Sequence, residues 1–226
     1  VTEQEVPSDC LGLISDISQR KEAEFAAVQA EAQRQHSTRT SQDALTGLGN
    51  RIAMMEALDG LGLGFDKALL VLLDVDRFKA IHASLGDAGA DAILRMLADR
   101  LAGLEEGAQV FRVGGDGFAF LFAEPRRAAQ SIGDALAEIC ARPFKLEDRE
   151  VFAPCSLGLA SGAESGEPLT LIKNAELALI AAKRQGGSCA RVYASEMEQL
   201  APADSVALES ELRQGLAAGQ LDVYYQ

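Results

Sequence analysis

Two hydrophobic rhythms alternate along the chain. Ala68-Leu69-Leu70-Val71-Leu72-Leu73 is an unbroken apolar run closed by Asp74. Such a run predicts a strand covered on both faces, whose carboxyl end delivers a polar residue to a site. From about Ala90 to Leu101 the period changes, and Ile93, Leu94, Leu97 and Leu101 share one helical face. Val110–Arg112 and Phe118–Phe122 read as two strands joined through Gly114-Gly115-Asp116, a tight hairpin. A helix is predicted over Arg126–Cys140, strands over Glu150–Leu159 and Ala190–Tyr193, and a helix over Leu169–Lys183 between them. Strands and helices in alternation predict an α/β (α+β) domain with a central sheet flanked by helices.

The flanks follow other patterns. From about Ile17 to Arg39 the sequence is rich in Glu, Gln, Arg and Ala, with Phe25, Val28 and Ala32 on one narrow stripe. That stripe suits either a short coiled-coil pairing or a solvated helix. Beyond Tyr193, Ala207–Leu216 is amphipathic and precedes Gln220-Leu221-Asp222-Val223-Tyr224-Tyr225-Gln226.

Composition narrows the function classes. The 226 residues are 48% hydrophobic, enough for one ordinary domain core with tails on either side. Against 21 Lys and Arg stand 34 Asp and Glu, for a formal net charge of −13. A nonspecific hold on a nucleic-acid backbone is thereby disfavoured, while divalent-metal binding at one concave site fits. Cys10, Cys140, Cys155 and Cys189 are scattered without a CxxC, and the histidines are His36 and His82. Neither a zinc site nor a disulfide framework is expected, and buried free thiols are. The longest apolar run is too short to cross a bilayer, and no signal peptide precedes it. The expected setting is cytoplasmic, with no direct membrane contact from these residues.

Four segments in order, together spanning about Ser41 to Tyr193, resemble the GGDEF family, the bacterial diguanylate cyclases that join two GTP molecules into cyclic di-GMP. They are Asp43-Ala44-Leu45-Thr46-Gly47-Leu48-Gly49-Asn50-Arg51; Asp74-Val75-Asp76-Arg77-Phe78-Lys79-Ala80-Ile81-His82 with Gly86–Asp91; Arg112-Val113-Gly114-Gly115-Asp116-Gly117-Phe118; and Ala175-Glu176-Leu177-Ala178-Leu179-Ile180-Ala181-Ala182-Lys183. The resemblance implies a nucleotidyl-cyclase palm-like fold and a reaction in which one GTP 3′-hydroxyl attacks the α-phosphate of another. Charge then gathers on phosphate oxygens, and divalent ions such as Mg²⁺ held by carboxylates stabilise it. It implies Asp74, Val75 and Asp116 as metal-holding residues. The fourth signature position, acidic in the family, is Gly117. Losing a metal ligand should cost at least the ~10–100-fold typical of losing a residue that only supports one. Metal binding and catalysis are therefore expected to be weakened.

For the nucleotide the resemblance implies Phe78, Lys79, His82, Asp91 and Lys183. His82 and Asp91 match the guanine-reading positions. Asp91 can accept from both N–H donors of the base edge, and His82 either donates one hydrogen bond or is an ordinary surface residue. Lys79 and Lys183 match lysines near the β- and γ-phosphates, unless they are solvated helix residues. The main chain around Arg77–Lys79 offers N–H groups to phosphate oxygens. Asp87 stands where the family usually has histidine, and Gly186-Gly187-Ser188 where it often carries an arginine. Glu105 and Ala108 replace the family's inhibitory Arg-x-x-Asp pair, so product feedback by cyclic di-GMP is not expected.

Residues 1–17 resemble the end of a PAS sensor domain, 18–40 a signalling helix, 41–194 a degenerate GGDEF domain, and 195–226 a linker with the first helix and strand of an EAL phosphodiesterase domain. The function this implies is a non-catalytic relay that binds GTP and acts on the adjoining EAL domain, with a homodimer as one assembly. A slow cyclase or a structural dimerisation spacer are the alternatives.

Overall fold

The computed structural model describes residues 41–103 and 107–200. The PAS-like end, the signalling helix, Glu105 and the EAL-like residues beyond 200 lie outside them.

The long apolar run becomes the middle of a five-stranded sheet. Strand β1 (Leu69–Val75) pairs antiparallel with β3 (Gly117–Phe122) on one side and β6 (Cys155–Ser161) on the other. Strand β2 (Ala108–Gly114) closes one edge and β7 (Ala190–Val192), parallel to β6, the other. Side chains alternate across a pleated strand, and both faces of β1 are covered. Leu69, Val71, Leu73 and Val75 pack with Ile93, Leu94, Leu97 and Leu101 of α2 (Phe78–Ala102) and Ile132, Leu136 and Cys140 of α3 (Ala129–Ala141). Leu70 and Leu72 pack with Met54 and Leu58 of α1 (Arg51–Asp59) and Leu171, Ile172 and Ala175 of α5 (Pro168–Arg184). The result is three layers, and at ~25 cal/mol per Å² of buried apolar surface both interfaces stabilise it.

One glycine sets how α5 lies on the sheet. A Cβ at Gly158 of β6 would stand 2.2 Å from the carbonyl oxygen of Ala175 and 2.2 Å from the amide nitrogen of Leu179. Helix and strand therefore meet backbone to backbone, and only glycine permits that approach. The short helix α4 (Gly162–Ser165) turns the chain into α5, which starts with Pro168 in its first turn, where a missing N–H costs nothing.

Three expected elements differ from the structure. The predicted strand Glu150–Leu159 is two pieces, because Phe152–Pro154 interrupts it. Arg149–Val151 (β5) pairs with Phe144–Leu146 (β4) in a separate two-stranded hairpin, and Cys155 begins β6. The helix expected from Ala90 already begins at Phe78, with a break at Gly86 (φ 68°, ψ −179°). Only a residue without Cβ adopts that backbone readily. Helix α3 begins at Ala129 rather than Arg126.

The thiols behave as expected where they are described. Cys140 and Cys155 are buried and free, and Cys189 is free and partly buried. A hydrogen bond with Cys140, followed by burial, pushes the Cys155 thiol up, so it stays protonated. Among the described residues no helix is long and apolar enough to cross a membrane.

Candidate functional site

The end of β1 delivers Asp74 to the sheet face that α5 covers, because Asp74 follows Leu70 and Leu72 in the alternation. The last turn of α5 brings Lys183 over the same spot, and its Nζ donates to Asp74 Oδ1 at 2.6 Å. From the other side comes the β2–β3 hairpin. Gly114 and Gly115 take φ of 136° and 53°, values open to glycine, and the turn presents Asp116 beside Asp74. Burial, and then the Asp74 carboxylate, push Asp116 above the usual carboxylate range, while Lys183 pulls the other way.

These groups line one cleft of about 570 Å³, together with Val75, Asp76, Arg77, Phe78, Lys79, Gly186 and Gly187. Six of the sequence-predicted residues thus come together: Asp74, Val75, Phe78, Lys79, Asp116 and Lys183. Arg77 takes a left-handed conformation (φ 55°) immediately before α2. The first N–H groups of that helix have no partner within it, so the helix dipole and these donors make the Phe78–Lys79 end hospitable to an anion.

His82 and Asp91 do not line this cleft. His82 Nε2 lies 2.8 Å from Asp87 Oδ1, joining the two sides of the Gly86 break, and Asp91 pairs with Arg95 at 3.8 Å. The histidine expected as either a base contact or a surface residue is half exposed and engaged with the carboxylate that replaces the family's own histidine.

Two residues went unassigned in the sequence reading. Asp76 lines the cleft, but its carboxylate is already used: Ser156 Oγ donates to Oδ1 at 2.6 Å and the Ser188 N–H to Oδ2 at 2.7 Å. Arg112 braces the hairpin, donating from Nε and Nη2 to the Gly115 carbonyl at 3.2 and 2.6 Å. Asp43 in turn holds Arg112 and accepts from Thr46 through both N–H and hydroxyl. The signal for both was that they sit inside conspicuous motifs, next to residues with more obvious chemistry.

Hard oxygen donors at this spot are the Asp74 and Asp116 carboxylates, and Val75 lines the same cleft. Mg²⁺ is commonly held by one or two carboxylates plus water and substrate phosphates, so this set fits one such ion. The third carboxylate of the lining, Asp76, already accepts from Ser156 and the Ser188 N–H. Among the described residues no group of three or more His, Cys, Asp or Glu side chains is placed to hold a metal. Gly117 pairs directly with Asp74 in the β1–β3 register. Partners directly opposite project to the same face, so an acidic side chain at 117 would stand beside Asp74.

A palm-like sheet with this strand-end carboxylate and glycine hairpin is the architecture of the nucleotidyl-cyclase-like domains. The model of the diguanylate cyclase GGDEF domain matches residues 40–189. The chain belongs to the GGDEF family. It is similar to the GGDEF domain of TpbB (YfiN) from Pseudomonas aeruginosa, with 31% identity and a TM-score of 0.64 over 70% of this chain and 98% of that one. The coiled-coil and GGDEF portion of DgcB from Caulobacter crescentus, in complex with c-di-GMP, is 27% identical with a TM-score of 0.61, over 79% of this chain and 99% of that one. The cyclic di-GMP phosphodiesterase PdeR of Escherichia coli is 32% identical over 189 residues, 81% of this chain and 28% of that protein. The chain spans about a quarter to a third of the curated relatives it matches, from 24% to 33%.

Proposed function

We propose that this is a GGDEF domain without cyclase activity, which binds one guanine nucleotide with a single Mg²⁺ and regulates an adjoining EAL phosphodiesterase. The observation that carries this reading is Gly117 opposite Asp74: the site lacks a carboxylate at the one position that faces its strand-end acid. Asp76 is tied back by Ser156 and the Ser188 N–H, each on one of its oxygens, and so is aimed away from the place a side chain at 117 would fill. This weighs against a slow cyclase in which another acidic group stands in.

What remains suits binding better than turnover. Lys79, Lys183 and the start of α2 offer positive charge and N–H donors to phosphates, and Asp74, Asp116 and Val75 offer oxygens to an ion. Bound there, Mg²⁺ would neutralise phosphate charge. Similarity to PdeR supports a phosphodiesterase partner, and the length of the relatives supports further domains, of which the PAS-like and EAL-like ends are our assignment. His82 and Asp91 remain our candidates for base recognition, which a nucleotide would have to reach beyond the cleft.

The test is a paired assay on the 226-residue chain. Incubation with GTP and Mg²⁺ or Mn²⁺ should yield no cyclic di-GMP, while GTP titration with Mg²⁺ should saturate. Turnover abolished by Asp116→Ala would overturn the first half, and absence of saturable binding at millimolar GTP the second.

A further inference from the structure

Lys183 is doing something in this structure that phosphate binding does not require. Its ammonium sits 2.6 Å from Asp74 Oδ1, the same carboxylate that would ligate a divalent ion. Its charge is also felt by Asp116. Asp76 lines the same cleft with one hydrogen bond on each oxygen, yet the ammonium stands on Asp74. The Lys183 side chain is 43% exposed, and it is the ion pair with Asp74 that places its ammonium. Its stem leaves the last turn of α5, and the Gly158 contact fixes that helix on the sheet without intervening side chains.

We propose that Lys183 is a tethered counter-cation of the metal site, so that a divalent ion binds Asp74 only as the ammonium leaves. This rests on the metal-and-nucleotide reading above. The physical argument is exclusion by like charge. Mg²⁺ binds oxygen at about 2.0–2.1 Å, and an ammonium on the same carboxylate repels it and competes for the lone pairs of Asp74, which weakens the ion's hold. With a third carboxylate, two charges could be balanced at once. With Gly117 in that place, Asp74 and Asp116 carry at most two negative charges, and Lys183 already offsets one.

A consequence for ligand order follows. Phosphate oxygens give the ammonium somewhere else to go, so nucleotide arrival and metal entry favour each other, and by linkage each strengthens the other equally. The domain would then load metal as a complex with nucleotide and stay metal-poor without it.

The test is a nucleotide-free Mn²⁺ titration of the 226-residue chain, read by electron paramagnetic resonance. Lys183→Met and Lys183→Gln should each tighten Mn²⁺ by about tenfold, within the usual range of coupling between sites. Lys79→Met removes a positive charge from the same cleft, but among the described residues Lys79 makes no ion pair with a carboxylate. It should shift Mn²⁺ affinity by less than about a third of that amount. Unchanged or weaker binding in the Lys183 variants, or an equal gain in Lys79→Met, overturns the proposal. In the unaltered chain the Lys183 ε-methylene resonance should move as Mg²⁺ is added, and a stationary resonance under saturating Mg²⁺ overturns it without any variant. Failure of GTP to bind would remove the nucleotide reading and leave these nucleotide-free results standing.

Discussion

Arg112 and Asp43 form a two-point pair 69 residues apart, with Arg112 Nη1 2.9 Å from Oδ1 and 3.1 Å from Oδ2 of Asp43. The other arm of the guanidinium holds the Gly115 carbonyl. The loop that carries Asp116 is thus clamped to the first turn of the domain, and its shape is set before any ligand arrives.

Asp43→Asn should therefore loosen the hairpin. Burial raises the Asp43 carboxyl, but hydrogen bonds from Thr46 and Arg112 and the Arg112 charge outweigh it and hold it below the usual range. A depressed carboxylate contributes stability above its unfolded value, near 3.9, and that contribution disappears as pH falls through the lower folded value. Chemical denaturation should show Asp43→Asn costing about 1–3 kcal/mol at neutral pH and less with each step below pH 4. An equal cost at pH 7 and pH 2.5 would refute this account.

Gly117→Glu should restore metal affinity. The backbone there has no positive φ, and a Cβ would meet the Gly114 carbonyl oxygen at 3.2 Å and Val113 Cγ2 at 3.4 Å, so the hairpin must give by a few tenths of an ångström. Calorimetry should show Mg²⁺ or Mn²⁺ binding tightened by ~10–100-fold. No change would mean that the register with Asp74 does not govern the site.

Asp116→Asn should stabilise the free domain while impairing the site. Burial and Asp74 disfavour the charged form of Asp116, so a neutral isostere relieves a cost of the kind often carried at functional positions. We expect a Tm about 1–3 °C higher together with weaker Mn²⁺ binding. A Tm that falls would show that the carboxylate is structurally required.

Much of this was legible in the sequence, for physical reasons. A short apolar run such as Leu69–Leu73 closed by Asp74 suits a strand covered on both faces, and Gly114-Gly115 permits the backbone of a tight hairpin. The Leu169–Lys183 periodicity located α5 to within a residue at each end. The β4–β5 hairpin was not legible, because three-residue strands carry too little alternation and merge with the Cys155 strand unless Pro154 is weighted as a break. Nor was the first half of α2, since Gly86 and Gly89 mask its continuation. The role of Asp76 was hidden for another reason. Its partners Ser156 and Ser188 lie 80 and 112 residues away, and no local pattern announces such a contact.

Gly158→Ala should be among the most damaging small changes in the domain. A methyl group there collides with the main chain of α5 at 2.2 Å, where no side chain can move aside. A cost of about 3 kcal/mol or more is expected, read as lowered Tm, with Lys183 drawn off Asp74. A variant as stable as the parent would mean the helix can lift without penalty.

The same contact makes α5 part of the sheet's rigid frame. Its 17 residues form a stiff rod about 25 Å long, with Lys183 over the cleft at one end and the Ser195–Leu200 turn, where the described chain ends, packed along it. Rotamer changes cannot absorb motion at a junction made of backbone alone. The root of the Lys183 side chain is therefore held at a fixed place relative to the strand that carries Asp74, so the width of the cleft is a property of the sheet itself.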